Sequence, residues 1–308
     1  MMQNTEFAFS GHAFAGAPLD RGDTLRADTE GLAALWPQAR VLVLDTDGRA
    51  LAEADDQPFL PRGADLGGGP GTAIYLGQDA SQAWFVVDAV NVNLQASGRI
   101  DLRQAATLWP AAIANIFAYA RGMSYWHSRN RYCGVCGTAV QFGRGGFIGH
   151  CGQCGTEHYP RVDPAIIVAV ENNGRLLLGR QSNWAPRRYS VLAGFVEPGE
   201  TFEQTVAREV FEESRVRVIE SRYLGSQPWP FPGGLMVGFT ATAHDDVPTV
   251  DGELEDARWC SVDEVGAALQ RDQADDGVGL LLPSPISIAR SLIEHWYRRQ
   301  HGASPGHG

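Results

Sequence analysis

The stretch from Gly194 to Val216 gathers an acidic cluster, Arg208-Glu209-Val-Phe-Glu212-Glu213, behind a glycine-proline loop. Pro198 and Gly199 make a turn just before Glu200, and a carboxylate is favoured in a first helical turn. A helix is expected from about Glu200 to Ser214. Within it Glu209, Glu212 and Glu213 stand at i, i+3 and i+4 and share one face. Three carboxylates on one face repel each other unless a cation sits among them, and Mg2+ takes such oxygen ligands while keeping several waters. Arg208 is placed to turn back toward Glu200 or Glu197 and hold the loop on the helix as a bidentate clamp. An exposed acidic helix would carry the same R-E-x-x-E-E cluster. The Gly-Phe-Val-Glu-Pro-Gly-Glu loop at fixed spacing before it separates the two readings.

A second cluster is as constraining locally. Cys133-Gly-Val-Cys136 and Cys151-Gly-Gln-Cys154 form two C-x2-C pairs with fourteen residues between them. Each pair delivers two sulfurs from one tight turn, and four soft ligands suit tetrahedral Zn2+. Glycine follows every one of the four cysteines, which suits tight backbone. With four protein ligands the site is closed, so the expected zinc is structural rather than catalytic. Disulfides are the competing reading, and the lack of a secretion signal in Met1 to Ser10 argues against them. Cys260 reads as a small buried apolar residue. His150 and His158 are not expected as ligands, and Arg129, Arg131, Arg144 and Arg161 read as a solvated face.

Around these clusters the chain divides into regions. Residues 1–128 read as a small β-rich domain with strand-like runs at Val41 to Leu44, Ala73 to Leu76 and Trp84 to Val90, and a loop at Gly63 to Gly71. A linking helix follows Pro110, with Ile113, Ile116, Phe117 and Ala120 on one apolar face. Residues 129–160 are the cysteine module. Residues 161–298 hold a strand at Ala165 to Val170, a turn at Asn172-Asn173-Gly174, a partner at Arg175 to Leu178, later strands near Arg222 to Leu224 and Leu235 to Ala243, and a last helix at Ile286 to Arg298. Strands interleaved with helices predict an α/β sandwich. Residues 299–308 read as a flexible tail. A formal charge of -11 over 308 residues disfavours broad electrostatic nucleic-acid binding but leaves an anionic small substrate open, because bound metal inverts the charge of a site. No run of eighteen apolar residues exists, so no membrane span and a cytoplasmic location are expected.

The residues from Gly194 to Val216 resemble the Nudix box, G-x5-E-x7-R-E-U-x-E-E-x-G-U with U apolar, at every position but one. Arg215 stands where the family has its last glycine. A left-handed helix exit there costs a non-glycine residue roughly 1 kcal/mol. Ser226-Gln-Pro-Trp229-Pro-Phe-Pro232 resembles the S-Q-P-W-P-F-P signature of the NADH pyrophosphatase family, and the order of parts is similar: N-terminal domain, four-cysteine ribbon, Nudix domain. The resemblance implies a Nudix α/β/α sandwich with an N-terminal β-rich domain and a small zinc ribbon between. It implies hydrolysis of the pyrophosphate of NAD(H) to AMP and nicotinamide mononucleotide, removal of NAD caps from RNA 5' ends, a need for Mg2+ or Mn2+, and a homodimer.

The same resemblance implies residue roles. Glu209, Glu212 and Glu213 hold metal, and Glu213 is also the proposed base. The carbonyl of Ala193 is a further metal contact. Glu253 is the match for a distant acidic ligand, with Glu255 or Asp256 as alternatives. Phe195 and Trp229 are candidates to sandwich a base, since aromatic faces stack on planar rings. Gln227, Tyr159 and Ala289 match substrate-contacting positions, and Arg103 a basic contact from the N-terminal region. A glutamate of the family's ribbon aligns with Gly146, so that contact is expected to be missing. The alternatives are a Nudix specificity for ADP-ribose or dinucleoside polyphosphates, RNA end processing as the main task, and an inactive Nudix fold serving as a binding module.

Overall fold

Alternating apolar runs and cap residues build two sheets and a ribbon in the computed structural model, which describes Phe9, residues 11–271 and residues 277–301. The expectations for the leading residues and for the tail from residue 302 lie outside the described residues. The chain divides into two units. The N-terminal unit holds Ala13–Val162 together with Pro228–Gly233; the C-terminal unit holds Asp163–Gln227, the chain from Gly234, and the described residues up to His12.

In the N-terminal unit α1 (Thr29–Leu35) precedes β1 (Arg40–Leu44) and β2 (Ala50–Ala52). Then come α2 (Gly63–Leu66), β3 (Ile74–Gln78), β4 (Ala83–Asp88) and β5 (Gly98–Ile100). The sheet order is β3-β4-β1-β2-β5, with β1 and β4 parallel. Val41, Val43, Phe85, Val87 and Tyr75 alternate onto one buried face against Trp36. The expected loop at Gly63 to Gly71 is corrected: its first four residues form the one-turn helix α2. The Asp65 carboxylate accepts the Arg62 amide at 2.8 Å, and only glycine fits at 63, where a Cβ would lie 2.0 Å from the Trp36 carbonyl oxygen.

Helices α3 (Leu102–Leu108) and α4 (Ala111–Arg129) follow. The expected apolar face of α4 is present: Ile116, Phe117 and Ala120 are buried, joined by Met123 and Trp126. The ribbon consists of β6 (Val140–Gly143), β7 (Ile148–Cys151) and β8 (Glu157–His158) in one antiparallel sheet.

The C-terminal unit is a six-stranded sheet of β9 (Asp163–Asn172), β10 (Arg175–Arg180), β11 (Leu192–Phe195), β12 (Val218–Trp229), β13 (Gly234–Ala243) and β14 (Asp256–Ser261). The order is β12-β13-β9-β10-β14. One edge of β9 is shared: its first half pairs with β11, and its far end with β10. Alternation along β9 sends Ile167 and Ala169 to one core and Ile166, Val168 and Val170 to the other. The first core is closed by α6 (Val262–Gln270) and α7 (Ile288–Gln300), the second by α5 (Phe202–Ser214) through Val206 and Val210. This is the α/β/α sandwich. The last helix starts two residues later than expected because the Ser287 hydroxyl caps the Ala289 amide at 3.2 Å. No helix among the described residues is long and apolar enough to cross a membrane.

Candidate active site and zinc ribbon

Helix α5 begins at Phe202, not near Glu200, because Thr201 is the cap. Its hydroxyl accepts the Gln204 amide, and the Gln204 side chain accepts the Thr201 amide at 2.9 Å, a reciprocal box. Glu200 therefore lies before the helix, not in its first turn, and is free to receive Arg208. The guanidinium donates to both Glu200 oxygens, at 2.6 and 2.8 Å, and to the Phe195 carbonyl at 2.9 Å. One side chain ties loop, strand and helix together. The Arg208 hydrogen bonds hold the Glu200 carboxyl down at about 2. The same guanidinium reaches Glu209 and Glu212 at 2.9 Å each.

The three helix glutamates do not share one environment. Glu212 is half-exposed and turned to Arg208. Glu209 is buried, and its carboxylate lies over the backbone of Gly194: a Cβ there would sit 1.9 Å from the Glu209 Cδ. That contact is the physical reason for glycine at the first box position. Glu213 is 4% exposed, and its Oε2 is buried without a hydrogen-bond partner. Burial, and then the charges of Glu209 and Glu253, push the Glu213 carboxyl up to about 8, against a hydrogen bond from the Ala193 backbone. Burial also raises Glu209, with Arg208 opposing and Glu212 and Glu253 adding to the rise.

Glu253 thus acts on both buried glutamates from the loop before β14. The two alternatives for the distant acidic ligand are otherwise engaged. Glu255 pairs with Arg180 at 2.5 Å, and Asp256 accepts the Tyr189 hydroxyl at 2.5 Å. Hard oxygen donors, an orphaned buried carboxylate oxygen and unneutralised negative charge fit a divalent cation. Glu209, Glu213, Glu253 and the Ala193 carbonyl are the groups that would hold it. Among the described residues, the cysteines form the group whose ligand atoms all lie within 4.8 Å of one another; the box glutamates do not converge that tightly.

In the ribbon all four Sγ atoms fall within 4.8 Å of one another. Cys133 and Cys154 are 3.6 Å apart, and Cys136 and Cys151 3.4 Å. A disulfide needs roughly 2 Å, whereas a zinc tetrahedron with ~2.3 Å bonds has edges of about 3.8 Å. The two turns are built alike. Gly137 donates to the Cys133 carbonyl at 2.8 Å and Gly155 to that of Cys151 at 2.9 Å, each glycine at positive φ. The donor set fits structural zinc. Gly146 turns at φ 95, and a Cβ there would press on Ile74 at 2.9 Å, so the position has no room for the family's glutamate side chain.

The other expected contacts fall as follows. Phe195 ends β11 in the C-terminal unit and is 64% exposed. Gln227 and Ala289 are buried in that unit: the Gln227 amide donates to the Ile286 carbonyl and accepts the Ile288 amide, both at 2.7 Å, so it fixes the start of α7. Trp229 belongs to the N-terminal unit, where Phe14 and Phe231 stand edge-on to it at 5.8 and 5.0 Å. Arg103, from the first turn of α3, lies 3.8 Å over the Phe231 ring and 5.8 Å from that of Trp229. Tyr159 is half-exposed and donates to Glu157. Sequence reasoning missed Phe14 and Arg121, which complete the Trp229 cluster; Arg121 lies 5.1 Å from the Phe231 ring. No local pattern marks either residue, since the contact joins segments far apart in the chain.

Comparison with known proteins agrees with this geometry. Residues 160–280 match the NUDIX domain, and residues 128–159 match the NADH pyrophosphatase zinc ribbon domain. A protein of Mycobacterium bovis (strain BCG / Pasteur 1173P2) named NAD-capped RNA hydrolase NudC is 38% identical over 90% of this chain and 92% of its own. A protein of the same name from Chromobacterium violaceum is 39% identical over 72% of this chain and 79% of its own. One from Stutzerimonas stutzeri is 42% identical over 61% and 63%. Similarity that runs through both the ribbon and the sandwich decides the matter: the chain belongs to the Nudix hydrolases, among the members that carry the NADH pyrophosphatase zinc ribbon.

Proposed function

We propose that this protein hydrolyses the pyrophosphate bond of NAD(H), giving AMP and nicotinamide mononucleotide, and that it removes NAD caps from RNA 5' ends. The observation that carries the reading is the buried Glu209–Glu213 pair on α5, set against Ala193 and Gly194 of β11. A divalent cation, Mg2+ or Mn2+, supplies charge neutralisation and a lowered pKa for water when bound.

The chain's own residues do the rest. Glu209, Glu213, Glu253 and the Ala193 carbonyl present oxygens to the cation, and Glu212 adds charge from the rim. Arg208 holds the Phe195–Glu200 loop against the helix and keeps these oxygens in register. Glu213, whose burial raises its proton affinity, accepts the proton of the attacking water. A phosphorus–oxygen bond forms to that water, the anhydride bond breaks, and the two mononucleotides separate. Phe195 and Trp229 each offer a face to a planar ring, and Arg103 brings positive charge beside Trp229. Tyr159 contacts substrate, while Gln227 and Ala289 shape the wall at the start of α7. The zinc of the ribbon is structural, and the homodimer implied by the family is part of this reading.

The test is product analysis after incubating purified protein with NADH and Mg2+, beside Glu213→Gln. AMP and reduced nicotinamide mononucleotide, reduced about 10²- to 10⁴-fold in the variant, are the expected result. No cleavage of NADH, with turnover of ADP-ribose instead, would replace this specificity with the second one.

A further inference from the structure

Three acidic residues alternate in the loop before β14: Asp251, Glu253 and Glu255. The outer two are each held by an arginine. Glu255 pairs with Arg180 at 2.5 Å, and its amide donates to the Arg180 carbonyl at 2.9 Å. Asp251 pairs with Arg215, the residue that replaces the last glycine of the Nudix box. Arg215 adopts the left-handed conformation a glycine would take there, φ 59 and ψ 13. The segment around it binds the loop further: Thr249 donates to the Ser214 carbonyl at 2.9 Å, and Arg217 takes Asp246 at 2.8 and 2.9 Å. Leu254 anchors the loop in the core under Gly179. The middle acid, Glu253, has no ion pair among the described residues, and it stands between Asp251, tied to Arg215 two residues past Glu213, and Leu254, whose Cδ1 meets the same point over Gly179 as the Cδ2 of Leu192, the neighbour of Ala193.

We infer that Arg215 and Arg180 are positioning residues: by pinning Asp251 and Glu255 on either side, they aim Glu253 at the cation site formed with Glu209 and Glu213. The box departure is therefore functional in this chain, a strained cap kept for the guanidinium it carries. A glycine at 215 would relax the backbone and release the loop. The inference rests on the proposed role of Glu253 as a metal ligand.

Mn2+ binding to the purified protein, read by electron paramagnetic resonance without substrate, tests it together with thermal melting. Arg215→Gly is expected to melt no lower than wild type while its Mn2+ Kd rises about three- to fivefold, the scale of a mostly exposed ion pair. Asp251→Asn should match that rise, the two together should not exceed it, and Arg215→Lys should restore part of it. Arg180→Ala with Arg215→Gly should weaken Mn2+ further. A purely structural role would lower the melting temperature and leave the Kd in place. An unchanged Kd in the Arg180/Arg215 double variant overturns the inference. Glu253→Gln with wild-type Mn2+ affinity overturns it from below, by removing Glu253 from the site, and wild-type protein that binds Mn2+ but leaves NADH intact would overturn the proposed activity alone.

Discussion

Glu213 shows what burial does to one group. Its carboxyl stands at about 8 against an ordinary 4.5, raised first by desolvation and then by Glu209 and Glu253. The folded, metal-free chain therefore keeps a proton there that the unfolded chain has released. Stability from such a group is fully present below pH 4.5 and is lost as pH rises through about 8. Thermal melts of the zinc-loaded protein in Mg2+-free buffer should show wild type losing more stability than Glu213→Gln between about pH 5 and pH 8. Added Mg2+ should restore most at the alkaline end, where the carboxylate is free to bind it. A wild type and variant with parallel pH curves would contradict the buried charge. The helical spacing of Glu209, Glu212 and Glu213 is legible from sequence, because it depends only on residues three and four apart. Which of them is buried is not, because the backbone that covers Glu209 is that of Gly194 in β11, outside the helix.

At the scale of elements, α5 is set by its caps. The Thr201–Gln204 box fixes where the helix starts, and so which side Arg208 faces. Thr201→Ala should cost about 1 kcal/mol, read as a fall in the denaturation midpoint without change in slope. At the other end Arg215 meets the left-handed cost of roughly 1 kcal/mol, opposed by its contacts with Asp251 and the Phe211 ring at 5.4 Å. The turn between β12 and β13 carries a second prediction. Trp229→Ala should reduce kcat/KM for NADH by about 1–3 kcal/mol, the value of one base stacked on an aromatic face. ADP-ribose should suffer far less; equal losses on the two substrates would remove Trp229 from dinucleotide recognition. Ser226 to Pro232 also reads, taken alone, as a rigid packing loop. Gln227 is spent inside the fold, while Trp229 keeps partial exposure.

For the whole molecule, the two metal sites divide the work. The ribbon belongs to the N-terminal unit and the acidic helix to the C-terminal one. Zinc bound by four thiolates contributes directly to folding. Cys133→Ser should therefore lower the melting temperature and leave the Mg2+ dependence of turnover as it was. A variant that melts normally yet fails to turn over would assign the ribbon a catalytic part. The formal charge of -11 frames the substrate question in the same way. Free dinucleotide needs only local neutralisation, whereas a longer RNA meets the acidic surface, so kcat/KM on capped RNA should fall as its chain lengthens at low salt.

The cysteine pairs, the acidic face of α5, the glycine turns and the alternating strands were all decided by the sequence, since each depends on residues a few positions apart and on fixed helical or extended geometry. The chain's own letters also exposed the departure at Arg215, though not its use. Only the tertiary structure gave Arg215 a partner in Asp251, engaged Glu255 with Arg180 and Asp256 with Tyr189, set Arg103 over Phe231, and raised Glu213. Each of these depends on desolvation or on charges brought from distant segments, and no spacing rule along the chain encodes such distances.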